Sequence, residues 1–196
     1  MPGRLAELDR QLFLFLNHLG CDGLDPLMRF LSSPGPWILL AAAILILAAR
    51  RNKWKIASPP FWILIAAFAA AYLISEQSSV HLFKNIFERL RPCHEPSLAA
   101  EVRLAADRCG GLYGFVSTHT SNSFALAMLA ILVFKRCWLT ISLLAWAGLI
   151  SYSRIYLGVH YPGDVLGGMV LGVATSLVVY LVYRQMERER SRLSSG

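Results

Sequence analysis

The chain alternates between long apolar stretches and short polar ones. A helix that crosses a bilayer needs about 20 mostly apolar residues. Residues 35–49, 59–83, 117–134, 138–156 and 163–183 approach or meet that length, the first being short. Residues 5–19 follow another rhythm. Leu5, Leu8, Leu12, Phe15, Leu16 and Leu19 recur at helical spacing, with Glu7, Asp9, Arg10 and Asn17 between them. That pattern predicts an amphipathic helix lying along the membrane interface. A second short helix is expected through Leu24, Leu27, Met28 and Leu31, ended by the Ser-Ser-Pro-Gly-Pro run at 32–36. The expected fold is all-α: a polytopic membrane helical bundle in a single domain spanning residues 1–196. It has five transmembrane helices, or six if residues 12–19 cross, which would put the N-terminus inside.

Composition supports a lipid setting. Apolar residues make up 56% of the chain and charged residues 16%, against about 25% charged in soluble domains. A soluble helical protein with buried helices is the alternative. The formal charge of +7 does not argue for nucleic acid, because no run of bases alternates with aromatics. Many of the bases cluster at the ends of apolar runs: Arg50, Arg51, Lys53 and Lys55; Lys135 and Arg136; Arg184, Arg188, Arg190 and Arg192. Such clusters mark the cytoplasmic side. With five spans all three fall on one face, which leaves residues 84–114 and 153–164 on the other. Residues 1–17 do not read as a cleavable signal, having Glu7 and Asp9 and no long apolar core. The four cysteines lack the paired spacing of a zinc site. Cys93 and Cys109 share one outer loop, where a disulfide and two free thiols are both open readings.

Three polar clusters interrupt the apolar pattern, all at the outer ends of spans. In the first, Lys84 and Arg91 stand seven residues apart, on one face if helical. Two cations at that spacing can clamp an anion, and the Arg fork matches phosphate oxygens. In the second, Ser117, Thr118 and His119 open a span, where free backbone N–H groups favour an anion. In the third, Arg154 ends a span, and His160 lies four residues before Asp164 across a Pro-Gly turn. A carboxylate on one imidazole nitrogen leaves the other free to attack. Each cluster alone also reads as ordinary interface chemistry: snorkelling cations, a Ser/Thr cap, an ion-paired turn. Together they supply cations, a nucleophile and an acid. Glu76, Gln77, Ser78, Ser79 and His81 crowd the outer end of another span, as site lining or as interface residues. Thr120, Asn122 and Ser123 are expected to pack against neighbouring helices. Gly163, Gly167, Gly168 and Gly172 are expected to permit close helix contacts.

These residues resemble the motifs of the type 2 phosphatidic acid phosphatase (PAP2) family, which is related to vanadium haloperoxidases. The K-x6-RP motif matches at Lys84, Arg91 and Pro92, and SR-x5-H-x3-D at Ser153, Arg154, His160 and Asp164. The PSGH motif reads Val116-Ser117-Thr118-His119 and departs at two positions. The resemblance implies a metal-independent lipid phosphatase without cofactor. Its catalytic residues would be His160 as nucleophile, Asp164 orienting it, and His119 as acid and then base. Lys84, Arg91, Arg154, Ser117 and the Thr118 N–H would bind phosphate. The partners implied are a lipid phosphate and membrane lipids, with no nucleic acid. Candidate substrates are undecaprenyl pyrophosphate, phosphatidylglycerophosphate, phosphatidic acid and lipid A. The expected location is a bacterial inner membrane with the site on the periplasmic face. A non-catalytic anion-binding protein or transporter is the competing class, and it would need neither nucleophile nor acid.

Overall fold

The two amphipathic segments form α1 (Gly3–His18) and α2 (Asp25–Leu31). The apolar runs form α3 (Gly35–Arg51), α4 (Pro59–Gln77), α6 (Thr118–Phe134), α7 (Cys137–Tyr156) and α8 (Pro162–Leu193). Between α4 and α6 the chain passes through a π-helical segment, Ser78–Lys84, and the single turn α5 (Asn85–Phe87). This is a computed structural model describing residues 3–98, 100–106 and 108–193. Among the described residues the sole β feature is an isolated antiparallel bridge, Leu90 to Tyr113.

Prolines start α3, α4 and α8, as expected at first-turn positions, where no backbone N–H is needed. Lys135, at φ 51°, ends α6 in the left-handed region. Helix α8 runs ten residues past the C-terminal end of the predicted apolar run, because its charged C-terminal part continues the same helix. At that end Arg51 of α3 meets Glu187 at 3.2 Å and donates to the Val133 carbonyl at 2.9 Å. Two of the predicted basic clusters and the α8 tail therefore share one end of the bundle. The motif residues lie at the other.

Helices α4, α6 and α8 form the centre, with α3 on α4 and α7 on α6. Leu64, Ala71, Leu129, Ala130 and Ala147 are sealed inside. The outward faces are apolar too, with Ile38, Trp62, Leu73, Ile141, Val170 and Leu181 exposed. A soluble fold would hide such a surface, whereas lipid solvates it. Small residues bring α6 and α8 together. A Cβ on Gly168 would stand 2.6 Å from the Ser117 carbonyl, and one on Gly172 2.3 Å from the Ser121 carbonyl. Gly163 serves a different neighbour, since a Cβ there would meet Asp9 at 2.7 Å.

By length and composition, residues 59–87 and 162–193 each suffice to cross a membrane. The α2–α3 pair, bent by 48°, counts as a third if it forms one span. Helix α1 lies across the end of the bundle. It buries Phe13 against Tyr161 and Asn17 against the ends of other elements. The Asn17 amide donates to the carbonyls of Arg103, Ile155 and Tyr156 and accepts from the Arg103 N–H. Leu5, Phe15 and Leu19 point outward. The predicted stripe thus faces away from the protein, and the polar Asn17 forms the inward anchor.

Candidate active site

The three motif clusters converge on one cavity of about 760 Å³. Lys84, Arg91, Thr118, His119, Arg154 and His160 line one end, and Ile44, Leu45, Ile65, Phe68 and Leu126 line the other.

His160 sits in the turn between α7 and α8. Its backbone N–H, and that of Val159, donate to the Arg154 carbonyl at 3.2 Å. Its Nδ1 lies 3.4 Å from Asp164 Oδ2, a long contact, and the ring also meets the Gly114 backbone. Asp164 is fully buried. Its Oδ2 accepts the Tyr161 N–H at 3.0 Å and its Oδ1 accepts from Arg89 at 3.0 Å. Burial, followed by the charges of Arg91, Arg154 and Lys84, holds His160 well below the usual histidine range. The ring is therefore neutral near pH 7 and has a lone pair to offer. His119 faces the cavity from the first turn of α6, with its ring against the Ser32 backbone and edge-on to Trp37 at 6.1 Å.

Each cation is held by a different element. Lys84, at the end of the π-helical segment, donates to the Thr118 hydroxyl at 2.7 Å, and Ser79 is bonded to the same oxygen at 2.9 Å. The single Ser79 hydroxyl proton goes to the Glu76 carbonyl at 2.8 Å, so the Thr118 hydroxyl donates to Ser79 Oγ. Arg91 donates to the carbonyls of Tyr113 and Cys109, both at 3.2 Å. Cys93 and Cys109 are disulfide-bonded, with Cα atoms 5.9 Å apart, so a cross-link closes the loop that holds Arg91. Arg154 donates to the Ser32 hydroxyl at 2.9 Å, and its buried Nε has no partner.

Of the expected site residues, Asp164 lies behind His160 and not on the cavity wall, and Ser117 is off it as well. Ser117 is fully buried, its N–H donates to the Asp164 carbonyl at 2.9 Å, and its hydroxyl accepts from Thr120 at 3.1 Å. Its position ties α6 to the start of α8. Of the crowd at the end of α4, Glu76 lines the cavity and Ser79 supports Thr118, whereas Gln77 and His81 are exposed. Asn122, expected to pack against a neighbour, also lines the cavity.

Four contributors were not anticipated. Arg89 bridges Asp164 and Asp9, the latter at 2.7 Å, and lies over the Tyr161 ring at 4.1 Å. It falls inside the variable stretch of the first motif, where spacing carries no signal. Gly114 abuts the His160–Asp164 pair, and a Cβ there would stand 2.9 Å from Asp164 Oδ2. Ser32 and Trp37 reach the cavity from the N-terminal third, a region where no motif lies.

Residues 60–188 match the model of the PAP2 superfamily. The chain is 32% identical over 183 residues, 93% of its length and 80% of the relative's, to a lipid A 4'-phosphatase of Bacteroides thetaiotaomicron. The crystal structure of Aquifex aeolicus LpxE superposes with a TM-score of 0.65 at 25% identity, covering 88% of this chain and 94% of that one. A PAP2-type phosphatidylglycerolphosphate phosphatase from Bacillus subtilis shares the fold. Its TM-score is 0.64 at 19% identity, over 94% of this chain and 87% of that one.

Proposed function

Because the chain belongs to the PAP2 superfamily and is a membrane lipid phosphatase, we propose that its cavity removes phosphate from a lipid through a phosphohistidine on His160. One observation carries the reading: the same cavity joins three cations and two histidines to an apolar slot. The polar end fits a phosphate and the slot fits a lipid chain.

Lys84, Arg91 and Arg154 bind the phosphoryl oxygens, with the backbone N–H groups at the N-terminal end of α6. Such donors act most strongly on the charge that develops in the transition state. His160 Nε2 attacks phosphorus, the bond to the lipid oxygen breaks, and His119 protonates that oxygen as it leaves. His119 then takes a proton from water, whose oxygen attacks the phosphohistidine and releases phosphate and neutral His160. Asp164 holds the His160 ring and stabilises the positive charge formed on it. Fixed cations do the electrostatic work throughout, so turnover needs no metal.

The site faces the outer side of a bacterial plasma membrane, opposite the basic ends at Arg50–Arg51 and Lys135. Five segments cross: α3, α4 with its extension, α6, α7 and α8. Helix α1 lies in the interface on its exposed Leu and Phe side chains. The substrate is a phosphate monoester or pyrophosphate of a lipid, in the range spanned by the relatives' names. The test is phosphate release by purified protein from a panel of lipid phosphates in the presence of chelator. Release is expected to persist with chelator, to be inhibited by vanadate, and to vanish in His160→Ala. Full activity in that variant rules out the proposed nucleophile.

A further inference from the structure

Inward from the phosphate end, the cavity wall changes character twice. Below the cations and histidines stand Glu76 and Asn122, and below those the apolar slot begins. Asn122 follows Thr118 by four residues on α6, so it lies on the same face about 6 Å deeper. Glu76 precedes Ser79 by three, and Ser79 is bonded to Thr118. The Glu76–Asn122 pair is therefore one helical turn beneath the Ser79–Thr118 pair.

A carboxylate beside an anion site opposes the anion unless it serves another purpose. Glu76 has no ion-pair partner among the described residues. Its Oε2 accepts from Asn122 Nδ2. A carboxylate only accepts, so this bond fixes the amide with Nδ2 toward Glu76 and Oδ1 away from it. That Oδ1 is buried with no hydrogen-bond partner, in a side chain on the cavity wall. Buried acceptors are seldom left unpaired. This band of the wall thus carries the Glu76 carboxylate and, sealed just behind the surface, an amide oxygen with no donor.

We infer that Glu76 and Asn122 form an acceptor-only subsite for a hydroxyl or amide N–H borne by the lipid within a few atoms of its phosphate. The inference rests on the phosphatase reading above and narrows its substrate class. The favoured lipid is a phosphate monoester on a sugar or polyol backbone that carries the chains. A polyprenyl phosphate sets only hydrocarbon against this band and leaves the carboxylate with no donor beyond Asn122. A lipid diphosphate sets its inner phosphate against Glu76, like charge on like. Sites built to bond a hydroxyl or N–H discriminate strongly against analogues that lack it.

The test uses the purified full chain in detergent and two probes of equal alkyl length. One is an alkyl glycerol 3-phosphate with a free 2-hydroxyl, and the other is its 2-deoxy counterpart. The wild-type protein is expected to favour the hydroxyl lipid by at least tenfold in kcat/KM. In Glu76→Leu and Asn122→Leu that ratio is expected to fall toward one. The isosteric Glu76→Gln, which exchanges an acceptor for a donor, lowers the same ratio if the Leu variants do not fold. A wild-type ratio near one, or a ratio that survives the substitutions, overturns the inference even where both lipids are hydrolysed. Failure to hydrolyse either lipid overturns the phosphatase reading instead.

Discussion

Two neighbours of His160 decide whether it can act, and each makes a measurable claim. Gly114 leaves space for the dyad, since a Cβ there would fall 2.9 Å from Asp164 Oδ2. Gly114→Ala is expected to displace the carboxylate and lower kcat by about 100-fold, the scale of loss for misplacements near 1 Å, with lipid KM little changed. An unaltered kcat contradicts that role. The second claim concerns protons. Burial and the cations beside it hold His160 below 6.5. In the proposed mechanism the neutral ring is the nucleophile, so attack is intact above that depressed value and fails as pH falls through it. In single-turnover phosphoenzyme formation the acid-side decline is expected only below about pH 6, apart from the alkaline-side decline that follows as His119, the acid, loses its proton. Arg91→Met removes a neighbouring positive charge and shifts that decline to higher pH. A wild-type decline centred at or above 6.5 contradicts this account of the ring.

The elements outside the spans reach the chemistry through specific bonds. Asp9 of α1 accepts the Gly163 N–H at 2.7 Å and an Arg89 N–H at 2.7 Å, and Arg89 also holds Asp164. Helix α1 is therefore coupled to the carboxylate that orients His160. Arg89→Met leaves Asp164 buried with one donor fewer, and is expected to lower kcat by about tenfold or more, since removing one partner of a buried charge is costly. Asp9→Asn keeps the shape and costs less. Equal losses in the two variants contradict the coupling through Arg89. The disulfide works in the same way on Arg91. Replacing Cys93 and Cys109 by Ser frees the loop whose carbonyls hold that guanidinium. In the chain-entropy model the loss for a loop of this size is about 3 kcal/mol, read as a lower Tm, with a raised KM for lipid phosphate. Helices α3, α4, α6, α7 and α8 were legible because each is a long apolar run bounded by proline, glycine or charge. The π-helical turn at Ser78–Lys84 and the role of α1 were not. The first is a local change in hydrogen bonding without a compositional mark. The second depends on which face of an amphipathic helix finds a partner, and there the polar Asn17, not the leucine stripe, faces inward.

At the scale of the whole molecule, the fold brings three distant motifs to one end of a bundle and runs an apolar slot down from them. Residues 59–87 and 162–193 span about 43 and 48 Å as continuous helix, longer than a hydrocarbon core of about 30 Å. Their ends therefore project beyond it, and the proposed placement sets the phosphate end of the cavity near the boundary where a lipid headgroup lies. The motif residues were readable because cations, histidines and a carboxylate suit phosphate chemistry and because their order and spacing resemble the PAP2 motifs. Ser117 shows the limit of that reading: its place in the motif matched, yet its N–H is bonded to Asp164 and its side chain faces α6 itself. Arg89, Gly114 and Asn122 escaped because their contributions are spatial, arising only when α1, α6, α8 and the outer loop meet. The most direct test of the central claim is rapid quench of the protein with a lipid labelled in its phosphate. The account predicts an acid-labile, base-stable phosphoryl group on the peptide containing His160, absent from His160→Ala and accumulating when His119 is replaced. Turnover without a labelled histidine, or label on another residue, would contradict it.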